Sequence, residues 1–517
     1  MHSFLTRYAT KIKGVVSGFD RVRFRGTLRW LANCSGMGSW LWHNQVLLKD
    51  FTNYAEGLTD RVKDRTRQLA EESGRPIEYL SSSGTRKEDY ARQIAERDNI
   101  TSGLVCVLSA VEPCMSFAVG RNRAAKKLEL RYQNRKCLHY YFYLIDSRCG
   151  WLNVRLQTWL PFTVQVVING REWLARQLQQ KGIDFERRGN CFTDIGDLRA
   201  AQRLLDRQRG AHWPRLLNRL LAQVHPSHRT LFGQERLRHY WSADETEWAT
   251  DVLFHSPEDL ATVYPQLVQH AITSFGSGEV LRFLGKRPQV WRYETAEIVS
   301  HLGTRREGVR VKHAINGNSI KMYDKQQSML RVETTINQTR QMKVYRASEA
   351  DPEGSKRWQR MRKGVADLHR RTTISQAANE RYLESLSAVE ADTTLGEMAA
   401  QVCRRTHWKG RSARALNPLA MADAQLLAAV NRGEFAIEGF RNGDVRGLLF
   451  SKVSSQTERR SQTAKVTRMI RLLRAHGLVH KISKTHRYTV SPLGRQVITA
   501  LLTARNTNTQ TLIQLAA

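Results

Sequence analysis

The sequence predicts a mixed α/β, multidomain protein with an α/β N-terminal body, a helical middle and a C-terminal winged helix-turn-helix. Its 517 residues exceed one ordinary domain, strand and helix patterns alternate in the N-terminal part, and the C-terminal part holds three amphipathic segments followed by a hairpin pattern. The predicted segments are a basic α/β domain at 1–205, a helical region at 206–400 with a strand pair at 318–337, a basic linker at 404–418, and a winged helix-turn-helix at 419–505.

The N-terminal body begins with GVVSGFDRVRFRGTLRWL, whose alternating apolar and basic residues predict a hairpin with one wet face. HYYFYLID and GWLNVRLQTW predict a second hairpin that turns at 147–149. The helix REWLARQLQQKG should end at Gly182, since glycine is common just after a helix. In the middle region, helical patterns dominate, and NSIKMYDK and MLRVETTIN predict the strand pair.

The C-terminal segment, from about Asp423 to Leu502, predicts three helices and a wing. DAQLLAAVNRG and NGDVRGLLF are the first two helices. The third should start near Thr463, a plausible N-cap, and its Val466, Ile470 and Leu473 form one apolar stripe. LVHKISKTHRYTVSPLGR then predicts a two-stranded wing and a final helix.

Charge is the most unusual property of the chain. Lys and Arg number 82 against 48 Asp and Glu, which leaves a net charge of +34 and a pI near 10.4. A globular protein this basic needs a polyanion as partner, and nucleic acid is the usual one. The most apolar stretch, 103–119, contains Glu112 and Pro113, so we expect no membrane partner.

The seven cysteines are scattered and include no C-x-x-C, which argues for a reducing cytosol and against a disulfide scaffold or a structural zinc site. No secretory signal pattern opens the chain. We therefore expect a cytoplasmic, nucleoid-associated bacterial protein.

The candidate nucleic-acid contacts share a positive or polar side chain in the C-terminal third. On the third helix they are Lys465, Arg468, Arg471 and Arg474; on the wing tip they are Lys484, His486 and Arg487; on the linker they are Arg404, Arg405, Lys409 and Arg411. The helix suits the major groove and the wing suits adjacent backbone. The basic linker is either solvated or an arm that contacts phosphates, and both interpretations stay open.

Phosphodiester cleavage usually needs two or more carboxylates that hold Mg²⁺, and no other cofactor is evident. The candidates, catalytic and metal-binding alike, are Asp20, Asp146, Asp324 and Glu333. A short turn between the last two strands would let Asp324 and Glu333 face each other. Each also has a structural interpretation: Asp146 suits a turn, and the other three have arginine or lysine neighbours.

Several blocks, including GFDRVRFRGTLR, NGREWLARQL, KMYDK and LRVETTIN, resemble an uncharacterised bacterial family whose members look like proteins of mobile or multicopy elements. The resemblance runs from about Phe19 to Arg495. It implies a DNA-related role and carries over no catalytic residue. IKMYDKQQSMLRVETTI also resembles the strand pair near the active site of some rolling-circle initiators.

The sequence therefore favours a nucleic-acid-binding protein of a bacterial mobile element. Its winged helix would contact duplex DNA, and its basic N-terminal body would grip DNA or structured RNA. The alternatives are a metal-dependent nuclease, recombinase or replication initiator, and a transcriptional regulator. The target sequence and the oligomeric state stay open.

Overall fold

The computed structural model describes residues 1–508 except 81–83, 226–236, 274, 276, 285–297, 306–307, 341, 348–350, 352, 388–394, 433–434, 436–438, 452, 454 and 484. The protein is mixed α/β. It divides into two compact units, the first formed by Met1–Val15, Ala249–Met361 and Arg370–Ala517, and the second by Val16–Trp248 and Arg362–His369. These units do not coincide with the four predicted segments, because residue 205 lies inside a helix of the second unit.

The α-helices are α1 (His2–Arg7), α2 (Cys34–His43), α3 (Phe51–Glu72), α4 (Lys87–Arg97), α5 (Gly170–Gln180), α6 (Leu198–Arg209), α7 (Trp213–Val224), α8 (Pro257–Thr273), α9 (Ser277–Phe283), α10 (Leu368–Leu386), α11 (Leu395–Val402), α12 (Met421–Val430), α13 (Asn442–Leu449), α14 (Gln456–Ala475) and α15 (Pro492–Asn506). Within the described ranges, none of them is both long enough and apolar enough to cross a bilayer.

The strands are β1 (Ile12–Leu28), β2 (Ile77–Tyr79), β3 (Gly103–Asn122), β4 (Lys127–Asp146), β5 (Gly150–Gln157), β6 (Val164–Asn169), β7 (Phe185–Arg188), β8 (Cys191–Ile195), β9 (His239–Phe254), β10 (Val299–Arg305), β11 (Gly308–Ile315), β12 (Asn318–Lys325), β13 (Met329–Ile336), β14 (Lys343–Arg346), β15 (Arg357–Arg360), β16 (Thr406–Trp408), β17 (Arg411–Ala413), β18 (Val479–Lys481) and β19 (Tyr488–Val490). The largest sheet is mixed, with the order β10-β11-β12-β13-β9-β1-β6-β5-β4-β3-β2. Its β2 runs parallel to β3.

In the second unit, one face of the sheet is apolar. Phe24 of β1, Val154 of β5 and Val166 of β6 are fully buried there against α3 and α7. A Cβ added to Gly170, the first residue of α5, would lie 1.9 Å from the carbonyl oxygen of Phe19. Only glycine therefore permits the close approach of α5 to β1.

In the first unit, alternate residues of neighbouring strands form a separate core. Val311, Met322 and Val332 of β11, β12 and β13 pack with α8 and α10. The C-terminal part of the unit has its own cluster, in which Leu427 of α12 and Ile470 of α14 are buried. The predicted strand pair is confirmed as β12 and β13.

Two predictions about secondary structure need correction. GVVSGFDRVRFRGTLRWL was expected to turn back on itself, whereas residues Ile12–Leu28 form one continuous strand. The region 206–400, predicted to be helical apart from one strand pair, also contains β9, β10, β11, β14 and β15. In β9, every residue from 246 to 254 is buried, so the segment lacks the alternation that marks a strand with one wet face.

We expect the buried pair Asp251–Arg331 to be essential for the stability of the first unit. Arg331 Nε and an Nη donate to the two oxygens of Asp251 at 2.6 and 2.8 Å, and neither side chain is exposed. Asp251→Asn should lower the free energy of unfolding by about 3–5 kcal/mol, since it leaves a buried charge without its counterion. Urea unfolding followed by tryptophan fluorescence measures the change.

The matched control is Arg67→Ala, which breaks an exposed pair with Asp64. It should cost less than about 1 kcal/mol. Equal urea midpoints for the two variants would contradict the role assigned to Asp251.

Candidate nucleic-acid interface

Helix α14 is held by an apolar stripe and exposes a basic one. Val466, Ile470 and Leu473 are buried in the C-terminal cluster, as their spacing predicts. The exposed cations of the helix are Arg459, Arg460, Lys465, Arg468 and Arg471. Because Lys465, Arg468 and Arg471 follow one another at three-residue steps, they form a continuous ridge on the solvent side.

The helix starts seven residues earlier than the sequence suggested. Ser455 precedes its first residue, Gln456, and Thr463 lies inside it, where its hydroxyl donates to the Arg459 carbonyl at 2.8 Å. The Asn442 amide of α13 donates to the Thr463 carbonyl at 2.9 Å. The predicted N-cap at Thr463 is therefore wrong, and the additional turns add Arg459 and Arg460 to the exposed surface.

Residues 404–418, expected to be a linker, contain the hairpin β16–β17. Lys409 and Gly410 have φ of 51° and 71°, the pattern of a tight two-residue turn. Arg404, Arg405, Lys409 and Arg411 are exposed. The hairpin is anchored, since Arg414 donates to both oxygens of Asp423 at 2.8 and 2.6 Å. Lys409 and Arg411 thus lie on the hairpin itself, and Arg404 and Arg405 directly precede its first strand.

Arg474 continues the three-residue stripe but has a different environment. Its guanidinium carbon lies 4.8 Å from the Trp408 ring centre and 5.8 Å from that of Tyr488. These cation–π contacts join β16, α14 and β19. Arg474 is half-buried, so it contributes to the packing of these three elements more than to the exposed basic surface.

The predicted wing tip contains residues of two kinds. His486 is exposed, whereas Lys484 lies outside the described residues; His480 and Lys481 of β18, which were not among the predicted contacts, are also exposed. Arg487 is buried: it donates to the Gly439 carbonyl at 2.8 Å, and its guanidinium carbon lies 4.3 Å from the Tyr345 ring centre. The prediction of Arg487 as a nucleic-acid contact needs correction, because its charge is satisfied inside the protein.

Asp146 has no free lone pairs for a metal ion. Arg219 donates to both of its oxygens at 2.8 and 3.0 Å, the Arg148 and Cys149 amides donate to Oδ1 at 3.0 and 2.9 Å, and Gln223 Nε2 donates to Oδ2 at 3.2 Å. Burial alone would raise the pKa of Asp146, but these bonds hold it well below its usual range. The turn-capping interpretation therefore fits this residue, and we remove it from the catalytic candidates.

Asp324 and Glu333 do not face each other. Glu333 pairs with Lys321 and Asp324 pairs with Leu330, so the two acids project from opposite faces of the β12–β13 pair. Lys321 Nζ lies 2.7 Å from a Glu333 oxygen. Burial raises the pKa of Asp324 to about 6. Their predicted cooperation as metal ligands is wrong.

Asp20 lies close to a carboxylate that the sequence analysis missed. Within the second unit, oxygens of Asp20 and Glu247 lie within 4.8 Å of each other. Asn190 Nδ2 donates to Asp20 at 2.6 Å, and Arg21 donates to both oxygens of Glu247 at 3.1 Å. The helical pattern predicted for this region does not indicate Glu247, whereas the closely spaced acids of ADETEW in β9 do.

No protein-family model matches this chain, and neither the curated proteins nor the solved structures include a match. The assignment of function therefore depends on the chemistry of these sites.

We expect Arg487 and Arg468 to differ in their effect on stability. Arg487→Ala should lower the unfolding temperature by several degrees, because it leaves the Gly439 carbonyl without its donor and removes a buried cation–π contact worth about 1–2 kcal/mol. Arg468→Ala should leave the temperature within about one degree, since surface substitutions rarely matter. Differential scanning calorimetry of the full chain compares them. A larger shift for Arg468→Ala would refute the assignment.

Proposed function

We propose that this chain is a nucleic-acid-binding protein whose residues 419–505 form a winged helix-turn-helix that contacts duplex DNA. The order of elements supports the proposal: α12, α13 and α14 are followed by the β18–β19 hairpin and α15, and all the helices contribute to one apolar cluster. In such domains the third helix enters the major groove. The role in a bacterial mobile element, with a nucleoid location, stays a prediction.

The observation that carries the proposal is the charge on the exposed side of α14 and the hairpins beside it. Its exposed cations are Arg404, Arg405, Lys409, Arg411, Arg459, Arg460, Lys465, Arg468, Arg471 and Lys481. Among the described residues of 404–491, Glu458 is the exposed acid. A surface this unbalanced has a high affinity for phosphates and a steep dependence on salt.

The N-terminal body offers a second basic surface in the β3–β4 hairpin. Both strands are 20 residues long, and their distal parts are largely solvent-exposed. The exposed cations there are Arg121, Arg123, Lys126, Lys127, Arg131, Arg135 and Lys136. A two-stranded ribbon fits the major groove of DNA, and the same charges suit the phosphates of structured RNA. The exposed cations of this hairpin support the proposal that the N-terminal body binds a second segment of nucleic acid.

The double variant Arg468→Ala/Arg471→Ala tests the C-terminal contact in the full chain. It should weaken binding to a labelled duplex on the order of tenfold, and should reduce the slope of log K against log salt by about two, because two phosphate contacts are lost. Fluorescence anisotropy between about 50 and 200 mM salt, an interval over which several phosphate contacts change affinity by orders of magnitude, measures both quantities.

The control is Arg61→Ala/Arg67→Ala, which removes the same charge from exposed positions of α3, where acids and bases alternate. If both double variants change the salt slope equally, only net charge matters and the assigned surface is wrong.

A second candidate function, a metal-dependent nuclease, is favoured by the proximity of Asp20 and Glu247. Two carboxylates on separate strands are the usual ligands of Mg²⁺ in phosphodiester cleavage. Asp20 is among the predicted catalytic residues, and Glu247 would be its partner.

The test is incubation of the protein with labelled DNA or RNA and Mg²⁺ or Mn²⁺. As a nuclease, the protein should lose at least about a hundredfold in cleavage rate with Asp20→Asn or Glu247→Gln, since each removes a metal ligand. Glu56→Gln, at an exposed acid of α3, is the control. Absence of cleavage by the wild type, or equal rates in all variants, would exclude this candidate.

A further inference from the structure

A polar pocket lies in the second unit, on the face of the sheet opposite the apolar cluster. Four neighbouring strands contribute to it, because the register places Arg25 beside Gln165, Gln165 beside Arg155, and Gln157 beside His139. These side chains share one face, and the cavity that they line has a volume of about 240 Å³. The pocket belongs to a different part of the chain from residues 404–491.

The β3–β4 hairpin supplies the remaining wall of the pocket. Cys114, Met115 and Tyr132 of this hairpin line the cavity. Gln157 Nε2 donates to the Met115 carbonyl at 3.2 Å, and Trp159 Nε1 donates to the Phe117 carbonyl at 2.9 Å. These bonds join the hairpin to the end of β5, so the wall is a fixed part of the fold.

The pocket is positively charged. Its described lining includes Arg25 and Arg155 and no carboxylate. Behind the lining, Glu112 accepts from Arg155 at 2.8 Å and lies 3.1 Å from Lys87 Nζ. One carboxylate is thus shared by two cations and cannot neutralise both. Arg25 donates to Asp244 through Nε at 2.7 Å. These positive charges favour an anionic ligand in the pocket.

The pocket also contains donors and acceptors suited to a ligand. Arg155 Nε is buried and has no acceptor among the described residues, which is uncommon for a buried donor. The Gln165 oxygen faces an Arg155 Nη at 3.4 Å, so its amide nitrogen is directed to other acceptors.

His139 offers an acceptor to the same pocket. Its Nδ1 lies 3.0 Å from the Cys137 carbonyl, which can only accept, so Nδ1 carries the proton and Nε2 is left as an acceptor. Burial, reinforced by the charge of Arg155, lowers the pKa of His139 to about 4, which keeps the ring neutral at physiological pH. A neutral acceptor favours a ligand that also has hydroxyl or amino donors.

We propose that this pocket binds a single nucleotide, with its phosphate at Arg25 and Arg155 and its base or sugar against Tyr132 and Met115. Guanidinium groups bind phosphate, and an aromatic ring offers a stacking surface to a base. The cavity is smaller than the roughly 300–1,000 Å³ of typical ligand sites, which suits one nucleotide and not two. A free nucleoside monophosphate and the 5′-phosphorylated end of a strand share this chemistry; the second source rests on the proposed function.

Isothermal titration of the full chain with AMP, adenosine and inorganic phosphate tests the proposal. AMP should bind saturably and more tightly than the other two. Arg155→Met and Arg25→Met should each weaken AMP binding about tenfold or more, because each removes a charge-assisted hydrogen bond. Arg61→Met, at an exposed arginine of α3 outside the pocket and both basic surfaces, should leave it within about twofold. Arg25 is exposed, so its variant should fold even where Arg155→Met does not.

A 5′-phosphorylated single-stranded decamer and its 5′-hydroxyl form then separate the two sources. Tighter binding of the phosphorylated form, lost in Arg25→Met, assigns the pocket to strand ends; AMP binding without such a preference assigns it to the free nucleotide. Absence of saturable AMP binding together with equal binding of the two decamers, or equal binding of phosphate and AMP, overturns the inference. Duplex binding sensitive to Arg468→Ala/Arg471→Ala would show that the proposed function survives that failure.

Discussion

The pairing of scarce carboxylates with arginines is the constraint on which the rest of the structure depends. The chain has 82 lysines and arginines against 48 acids. A buried ionised group is tolerable only when it is paired, and the interior joins Asp251 to Arg331 and Asp146 to Arg219 in this way. Each such pair uses one acid and one base, so the whole surplus of positive charge remains outside these pairs. Binding a polyanion relieves the repulsion that this surplus creates.

The same constraint divides the arginines of the C-terminal part into two kinds. Arg468 and Arg471 face solvent from α14, whereas Arg474, one step further along the helix, lies against Trp408 and Tyr488. Arg487 is buried against Tyr345. An aromatic ring or a carbonyl replaces the missing carboxylate as partner of these inner arginines. The outer arginines remain exposed to solvent, so the aromatic residues help determine which charges reach the surface.

Local periodicity predicted the elements that bury a single apolar face. The environment of individual side chains depends on long-range contacts, which periodicity does not reveal. The stripe Val466, Ile470 and Leu473 needs only helical spacing, and the structure confirms it. The burial of Arg487 depends on Tyr345, more than a hundred residues away, which no local pattern encodes. Asp324 and Glu333 were assigned to the right strands, but which face each occupies depends on the register. The sequence does not indicate the pocket at Arg155, because the pocket forms only when four strands lie side by side in an order that differs from their order in the chain.

The environment of Glu247 helps to decide between the two candidate functions. A metal ion at Asp20 and Glu247 would have to displace Arg21, which already donates to both oxygens of Glu247. That displacement would separate a formed ion pair and leave a guanidinium beside the metal, which is unfavourable unless bound substrate supplies further negative charge. Binding by the exposed cations of α14 needs no such rearrangement, since Arg468 and Arg471 already face solvent. Cleavage at this site would therefore require nucleic acid to bind first, so the proposal of binding does not depend on the proposal of cleavage.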